Sequence, residues 1–172
     1  MPKNALVKPF LKWAGGKRQL LDQIISRIPK GFKTYYEPFI GGGAVLFALQ
    51  PKIAVINDLN KQLCLTYSVI RDNPEELIEL LDMHAQKNKE LGSKYYYDIR
   101  ELDRNKSFEE TSDVEKAARL IYLNKTCYNG LYRVNAAGLF NTPYGNYKNP
   151  GICERETLIA VSKYFNKNDI TI

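Results

Sequence analysis

Histidine is almost missing from this 172-residue chain, with His84 the only one. A lone imidazole gives little support to a zinc site or to histidine-based nucleophilic catalysis. Its place at the polar end of a helix reads as solvated. Cysteine is scarce too: Cys64, Cys127 and Cys153 are odd in number, widely spaced and without a C-x-x-C. They read as reduced thiols, not as a disulfide framework or a metal cluster. No uninterrupted apolar run approaches the roughly 20 residues that span a bilayer. The opening Met-Pro-Lys-Asn has no secretory apolar stretch. The expectation is a cytoplasmic protein with no membrane partner and no bound metal.

What is present is ordinary in bulk. A hydrophobic fraction of 44% with 26% charged residues fits a globular protein, and the length allows one substantial domain or two small ones. The net charge of +6 is spread unevenly: residues 1–39 carry a net +6, residues 40–114 a net −4 and residues 115–172 a net +4. The two ends are therefore the basic parts, as a phosphate backbone would favour. Scattered surface lysines give similar totals, so charge alone does not decide it.

The sharpest local pattern runs from residue 35 to residue 58. Tyr35, Tyr36 and Phe39 make an extended aromatic run, followed by Gly41-Gly42-Gly43 and the apolar helix Ala44–Leu49, which Pro51 stops. Ile53–Ile56 then reads as a buried parallel strand. Asp58 follows Gly43 by 15 residues, and at the carboxyl end of that strand its carboxylate can accept from a ribose diol. The glycines allow a ligand to approach the backbone closely. Three consecutive glycines do not make the G-x-G-x-x-G dinucleotide fingerprint, and Glu37 beside them would repel a pyrophosphate. A cofactor with a ribose, an adenine and a positive charge fits better, and S-adenosylmethionine has all three. A P-loop at Ala14-Gly15-Gly16-Lys17-Arg18 fails on glycine spacing and on Arg18, which replaces the hydroxyl that holds magnesium.

Residues 17–28 read as an amphipathic helix ended by Pro29. Helices follow over 61–71, from the start signal Asn73-Pro74-Glu75-Glu76, and from a cap at Ser93, with Tyr95–Tyr97 as core. Residues 103–113 read as a loop, and Ser112-x-x-Glu115 as a capping box opening a helix that runs towards Gly130. Residues 128–145 then suggest a hairpin, with two extended runs around Ala136-Ala137-Gly138. Such a hairpin fits a DNA groove. Arg133 offers a planar fork for guanine O6 and N7, and Asn129 and Asn135 offer paired donors and acceptors. Tyr128 and Leu131 can wedge against bases where an adenine is extruded. A surface hairpin whose Arg and Asn merely stabilise turns gives the same composition.

Three motifs in order carry a resemblance: Trp13-Ala14-Gly15-Gly16-Lys17, then Glu37-Pro38-Phe39-Ile40-Gly41-Gly42-Gly43, then Asn57-Asp58. With Asn129-Gly130-Leu131-x-Arg133-x-Asn135 and Phe140-Asn141-x-Pro143-x-Gly145-x-Tyr147-Lys148, the chain resembles the amino-terminal part of the Dam-type DNA adenine methyltransferases. The resemblance implies methyl transfer from S-adenosylmethionine to the exocyclic amine of adenine in double-stranded DNA, within GATC. It implies that Trp13, Ala14 and Lys17 line the methionine end of the cofactor, that Glu37, Pro38, Phe39, Gly41, Gly42 and Gly43 form its floor, and that Asp58 holds the ribose. It also implies that Arg133 reads a guanine, and that Lys12, Tyr128, Asn129, Leu131 and Pro143 lie at the duplex. Asn146 stands where many relatives have arginine, so one phosphate contact is expected to be missing.

The implied catalytic motif is absent. Amine methylation by direct displacement normally uses Asp/Asn/Ser-Pro-Pro-Tyr/Phe, whose polar side chain and carbonyl accept the amine protons while its ring stacks on the flipped base. No Pro-Pro occurs in the 172 residues, so no catalytic residue is assigned. The expected fold is α/β: a partial, Rossmann-like methyltransferase sheet with an inserted, mostly helical target-recognition region carrying a β-hairpin. Residues 1–60 would start the cofactor domain, 61–155 would recognise the target, and 156–172 would return to a truncated cofactor domain. The competing reading is a non-catalytic binding module that needs a second chain carrying the missing motif.

Overall fold

The computed structural model describes residues 3–172. A short parallel sheet forms from β1 (Tyr35–Glu37), β2 (Ile53–Ile56) and β3 (Asp169–Thr171), in the order β1-β2-β3. Tyr35 faces Ala54, and Ala54 faces Ile170 in turn. Parallel neighbours need a crossover. The first is α2 (Ala44–Leu49), and the second is the whole stretch from residue 57 to residue 168. Within it lie α3 (Lys61–Asp72), α4 (Pro74–Leu91), α5 (Ser93–Glu101), α6 (Asp113–Thr126) and α7 (Arg155–Lys167). Asp169–Thr171 thus supply the strand that the sequence around Ile170 foreshadows.

Glu37, Ala54, Ile56 and Ile170 turn one side of the sheet into the core. Val55 faces Tyr36 in the register and lies, with Ile53, on the other side, where all three stay accessible. The expectation of a strand buried on both faces is therefore corrected: β2 alternates, because helices cover only one side of it. The core itself is continuous. Tyr67 of α3 packs against Phe10, Phe47 and Phe165, so the helical stretch and the sheet share one apolar interior.

Several local readings need adjustment. Residues 17–20 form a 3-10 turn before α1 (Leu21–Arg27), and this helix buries no residue fully. Asn73 makes no side-chain cap; Asn60 does, its Oδ1 accepting from the Leu63 amide at 3.1 Å to open α3. Gly92, not Ser93, occupies the cap before α5. The Ser112–Glu115 capping box is present in both directions. Residues 103–113 hold 3-10 turns, with Phe108 buried.

His84 is the clearest correction. It is buried in α4, with its Nδ1 2.7 Å from the Tyr95 hydroxyl and its ring stacked on Tyr122 at 4.9 Å. Burial, with Lys87 nearby, lowers its pKa to about 4. The helix periodicity through Leu77, Leu81 and His84 places it on the inward face, and the polar neighbours in sequence point elsewhere.

Candidate cofactor cradle and recognition hairpin

The glycine turn is built around backbone that only glycine tolerates. Gly43 sits at φ +74, and a Cβ there would lie 2.6 Å from the Phe47 ring and 2.9 Å from the Tyr67 hydroxyl. Gly41 lets the indole of Trp13 close in, since a Cβ would meet its Cδ1 at 3.1 Å. Asp58 fixes the turn: one carboxylate oxygen accepts from the Gly41 amide at 2.9 Å, the other from the Asn60 amide at 3.0 Å. From the opposite side the Tyr67 hydroxyl donates to the Gly41 carbonyl at 2.8 Å. Burial raises that hydroxyl's pKa, and the nearby carboxylates of Glu37 and Asp58 reinforce the shift. It therefore stays a donor.

A cavity of about 750 Å³ lies between this turn and the segment Lys12–Lys17. The size is adequate for a nucleoside cofactor, at the upper part of the ~300–1,000 Å³ usual for ligand sites. Trp13, Ala14, Lys17, Phe39, Gly41, Gly42 and Asp58 line it, together with Lys12. Glu37, Pro38 and Gly43 stand outside the lining. Glu37 is buried behind Lys17, whose ammonium donates to its Oε1 at 3.0 Å and to the Phe39 carbonyl at 2.6 Å. Tyr35 donates to the other Glu37 oxygen at 2.7 Å, and burial followed by that carboxylate raises the Tyr35 pKa. Glu37 thus sets where the Lys17 charge sits. Each Asp58 oxygen has one backbone partner, and a carboxylate oxygen has two lone pairs, so both can accept again. The cradle fits a cofactor with a diol and a carboxylate: acceptors at Asp58, a cation at Lys17, and open backbone at Gly41 and Gly42.

The hairpin over 128–145 is looser than its sequence implies. Its arms meet at two isolated bridges, Cys127 with Tyr144 at the base and Val134 with Phe140 further out, the latter flanked by bonds from Asn135 to Leu139 and from Asn141 to Arg133. No continuous strands form between the bridges, where the Thr142 hydroxyl donates to the Leu131 carbonyl at 2.7 Å and Tyr132 packs edge-on against Phe140. Gly138, at φ +77, closes the turn. Arg133 is exposed, and its guanidinium is steadied by the Asn141 side chain at 2.7 Å and the Asn141 carbonyl at 3.3 Å. The Asn135 side-chain oxygen accepts from the Ala137 and Leu139 amides, both at 3.0 Å, leaving its amino group outward. Asn129 adopts a left-handed conformation at φ +55 on the surface. Tyr128, 57% exposed, sits beside Pro143 through an amide-to-carbonyl bond of 2.9 Å, with Leu131 also at the surface.

The hairpin's second arm is gripped by the helices. Asp103 accepts from the Phe140 amide at 2.9 Å, and Arg104 donates to the Phe140 carbonyl at 2.6 Å. The buried guanidinium of Arg119 holds Asp103 at 2.9 Å, and Tyr96 donates to the Thr142 carbonyl at 2.8 Å. Asn141 beside Arg133, Tyr67 behind Gly41 and Asn124, which accepts from the Lys12 amide, are neighbours of the candidate site residues that sequence reasoning missed. Asn141 stands within the second hairpin motif, which was the available signal; the other two look like ordinary helix residues. Burial raises the thiols of Cys127 and Cys153 to about 11 and about 12, which leaves neither a nucleophile. Among the described residues, no group of three or more His, Cys, Asp or Glu gathers as a metal site, and no helix is long and apolar enough to cross a membrane.

Comparison with known proteins shows the family. The family model described as D12 class N6 adenine-specific DNA methyltransferase matches residues 13–172. A type II methyltransferase of Lactococcus lactis subsp. cremoris, M1.LlaDCHI, is 47% identical over 173 residues, covering 100% of this chain and 60% of the relative. The type II methyltransferase M.MjaIII of Methanocaldococcus jannaschii is 48% identical, across 91% of this chain and 58% of its own length. The DNA adenine methylase of Escherichia coli strain K12 is 36% identical over 163 residues, or 53% of that protein. The chain spans between 53% and 60% of the length of these three relatives. It belongs to the D12 class of N6-adenine-specific DNA methyltransferases.

Proposed function

We propose that these 172 residues bind S-adenosylmethionine and double-stranded DNA for site-specific methylation of adenine N6, with GATC as the target. One observation carries the reading: the cofactor-sized cavity and the recognition hairpin adjoin, with Lys12 and Trp13 between them. When bound, the cofactor supplies a methyl group on a sulfonium. In this reading Asp58 accepts from the ribose diol and Lys17, steered by Glu37, faces the methionine carboxylate. Trp13, Ala14, Phe39, Gly41 and Gly42 shape the walls. Pro38 and Gly43 hold the turn that carries them.

On the DNA side, Arg133 reads a guanine through its fork, pre-oriented by Asn141. Asn129 and Asn135 present amide groups to base edges, Tyr128, Leu131 and Pro143 form the apolar wedge, and Lys12 reaches the duplex. Residues 1–60 and 156–172 then serve the cofactor and 61–155 the target, in a cytoplasmic setting where DNA is at hand. Catalysis further requires a polar and aromatic group of the Asp-Pro-Pro-Tyr kind, for which the sequence offers no candidate. The accessible sheet face at Tyr36, Ile53 and Val55 supports a completing segment, in a longer form of this chain or in a second chain, because parallel sheets are normally covered on both sides.

Ultraviolet cross-linking of methyl-tritiated S-adenosylmethionine to the chain, run beside transfer of label to duplex, tests the reading. The expected result is a cross-link displaced by S-adenosylhomocysteine, with label entering GATC duplex only when the catalytic segment is supplied. Absence of a cross-link in a folded sample overturns the cofactor assignment. Transfer by the 172 residues alone overturns the need for a completing segment, and equal labelling of GATC-free duplex overturns the target.

A further inference from the structure

The cofactor cradle and the hairpin share a physical joint. The Trp13 indole that lines the cavity stacks on Tyr132, with ring centroids 5.0 Å apart and planes inclined by 24°. Tyr132 in turn meets Phe140 edge-on at 5.6 Å, across the hairpin. Beneath the stack, Asn124 of α6 is 2% exposed and holds both sides at once. Its Oδ1 accepts from the Lys12 amide at 3.0 Å, while its Nδ2 donates to the Lys12 carbonyl at 2.8 Å and to the Gly130 carbonyl at 3.0 Å. Gly130 closes the remaining gap, since a Cβ there would lie 2.7 Å from the Lys12 side chain. The backbone at Lys12-Trp13 is therefore pinned to the hairpin base, and the Trp13 ring is pinned to the hairpin arm.

From this juxtaposition we propose that Tyr132 is a positioning residue that couples the two sites: seating a cofactor against Trp13 and seating a duplex on the hairpin both bias the Trp13–Tyr132 stack. Tyr132 lies outside the cavity lining and adjoins Arg133, so a shift of its ring re-aims the recognition arm. Coupling through one shared element is reciprocal: a duplex that tightens the cofactor is itself tightened by the cofactor to the same degree. Asn124 keeps the joint stiff, so that motion of the ring is passed on instead of absorbed by the backbone.

The inference rests on the proposed cofactor and DNA sites, and the test separates the two. S-adenosylhomocysteine is titrated into the wild type, Tyr132→Ala and Tyr132→Phe, with and without saturating GATC duplex. Circular dichroism confirms the fold, and duplex binding is followed by anisotropy. For the wild type and Tyr132→Phe, duplex is expected to tighten the ligand about tenfold, within the range usual for coupled sites. In Tyr132→Ala that factor falls to within about twofold of unity, while affinity without DNA changes less than about threefold and duplex still binds. Trp13 is the chain's one tryptophan, so its emission reports from the joint. Addition of duplex alone should change it in the wild type and leave it unchanged in Tyr132→Ala. Retention of the full coupling factor in Tyr132→Ala refutes the inference, as does a wild type that binds both ligands without coupling. A wild type that binds no S-adenosylhomocysteine removes the cofactor reading itself.

Discussion

The proposed cofactor cradle and the candidate recognition hairpin are built to opposite standards. In the cradle, the glycine turn is held from several sides: Asp58 and Tyr67 grip Gly41, and Gly43 fits only without a side chain. In the hairpin, Tyr128, Asn129, Arg133 and Asn135 stand in solvent, and order comes from a few bonds at the base and along one arm. The difference follows from what each is proposed to meet. A small cofactor gains most from a site already in shape. A duplex presents many contacts at once, and exposed side chains on an arm held at Tyr132, Phe140 and Thr142 can adjust to it.

The contrast can be broken most forcefully at Gly43. Gly43→Ala adds a left-handed strain of about 1–3 kcal/mol and an overlap with Phe47 and Tyr67 that costs a similar amount. Urea unfolding should show a loss of about 3 kcal/mol or more, and an unchanged midpoint would mean the turn is not rigid. The same change at Gly138, where a Cβ meets nothing within 4 Å, should cost only the strain.

Next in size is a pH effect on the helices that support the hairpin. Folding keeps His84 neutral to about pH 4, whereas its ordinary pKa is 6.5, so the unfolded chain takes up a proton that the folded one does not. The stability this gives is complete above pH 6.5 and drains away as pH falls towards 4, roughly 3 kcal/mol in all. Unfolding at pH 7 and pH 5 should therefore separate the wild type from His84→Phe, which stacks on Tyr122 but cannot titrate. Equal pH dependence in both proteins would count against a buried neutral imidazole.

A smaller effect is expected at the tip of the hairpin. Arg133→Ala should remove about 1–3 kcal/mol of discrimination between GATC and altered duplexes, read by competition anisotropy. Equal weakening on all duplexes would make Arg133 a phosphate contact instead of a reader.

Which parts were legible in the sequence follows the same divide. The glycine turn, α2 and Asp58 could be placed because each depends on local backbone rules: positive φ, a proline stop, a strand end. The capping box at Ser112–Glu115 was legible for the same reason. Tyr67, Asn124 and the burial of His84 were not, because their roles arise from partners 26, 112 and 11 residues away. Their own neighbourhoods read as plain amphipathic helix. The open face of β2 was also misread, since a β-branched run does not reveal whether one or both of its faces will be covered.

The most direct test of the division of labour is calorimetric titration of S-adenosylhomocysteine into the wild type, Asp58→Ala and Arg133→Ala, without DNA. At least a tenfold loss of affinity is expected for Asp58→Ala, about 1.4 kcal/mol, with an unchanged affinity for Arg133→Ala. Unaltered binding in a folded Asp58→Ala, or an equal loss in both variants, would contradict that division.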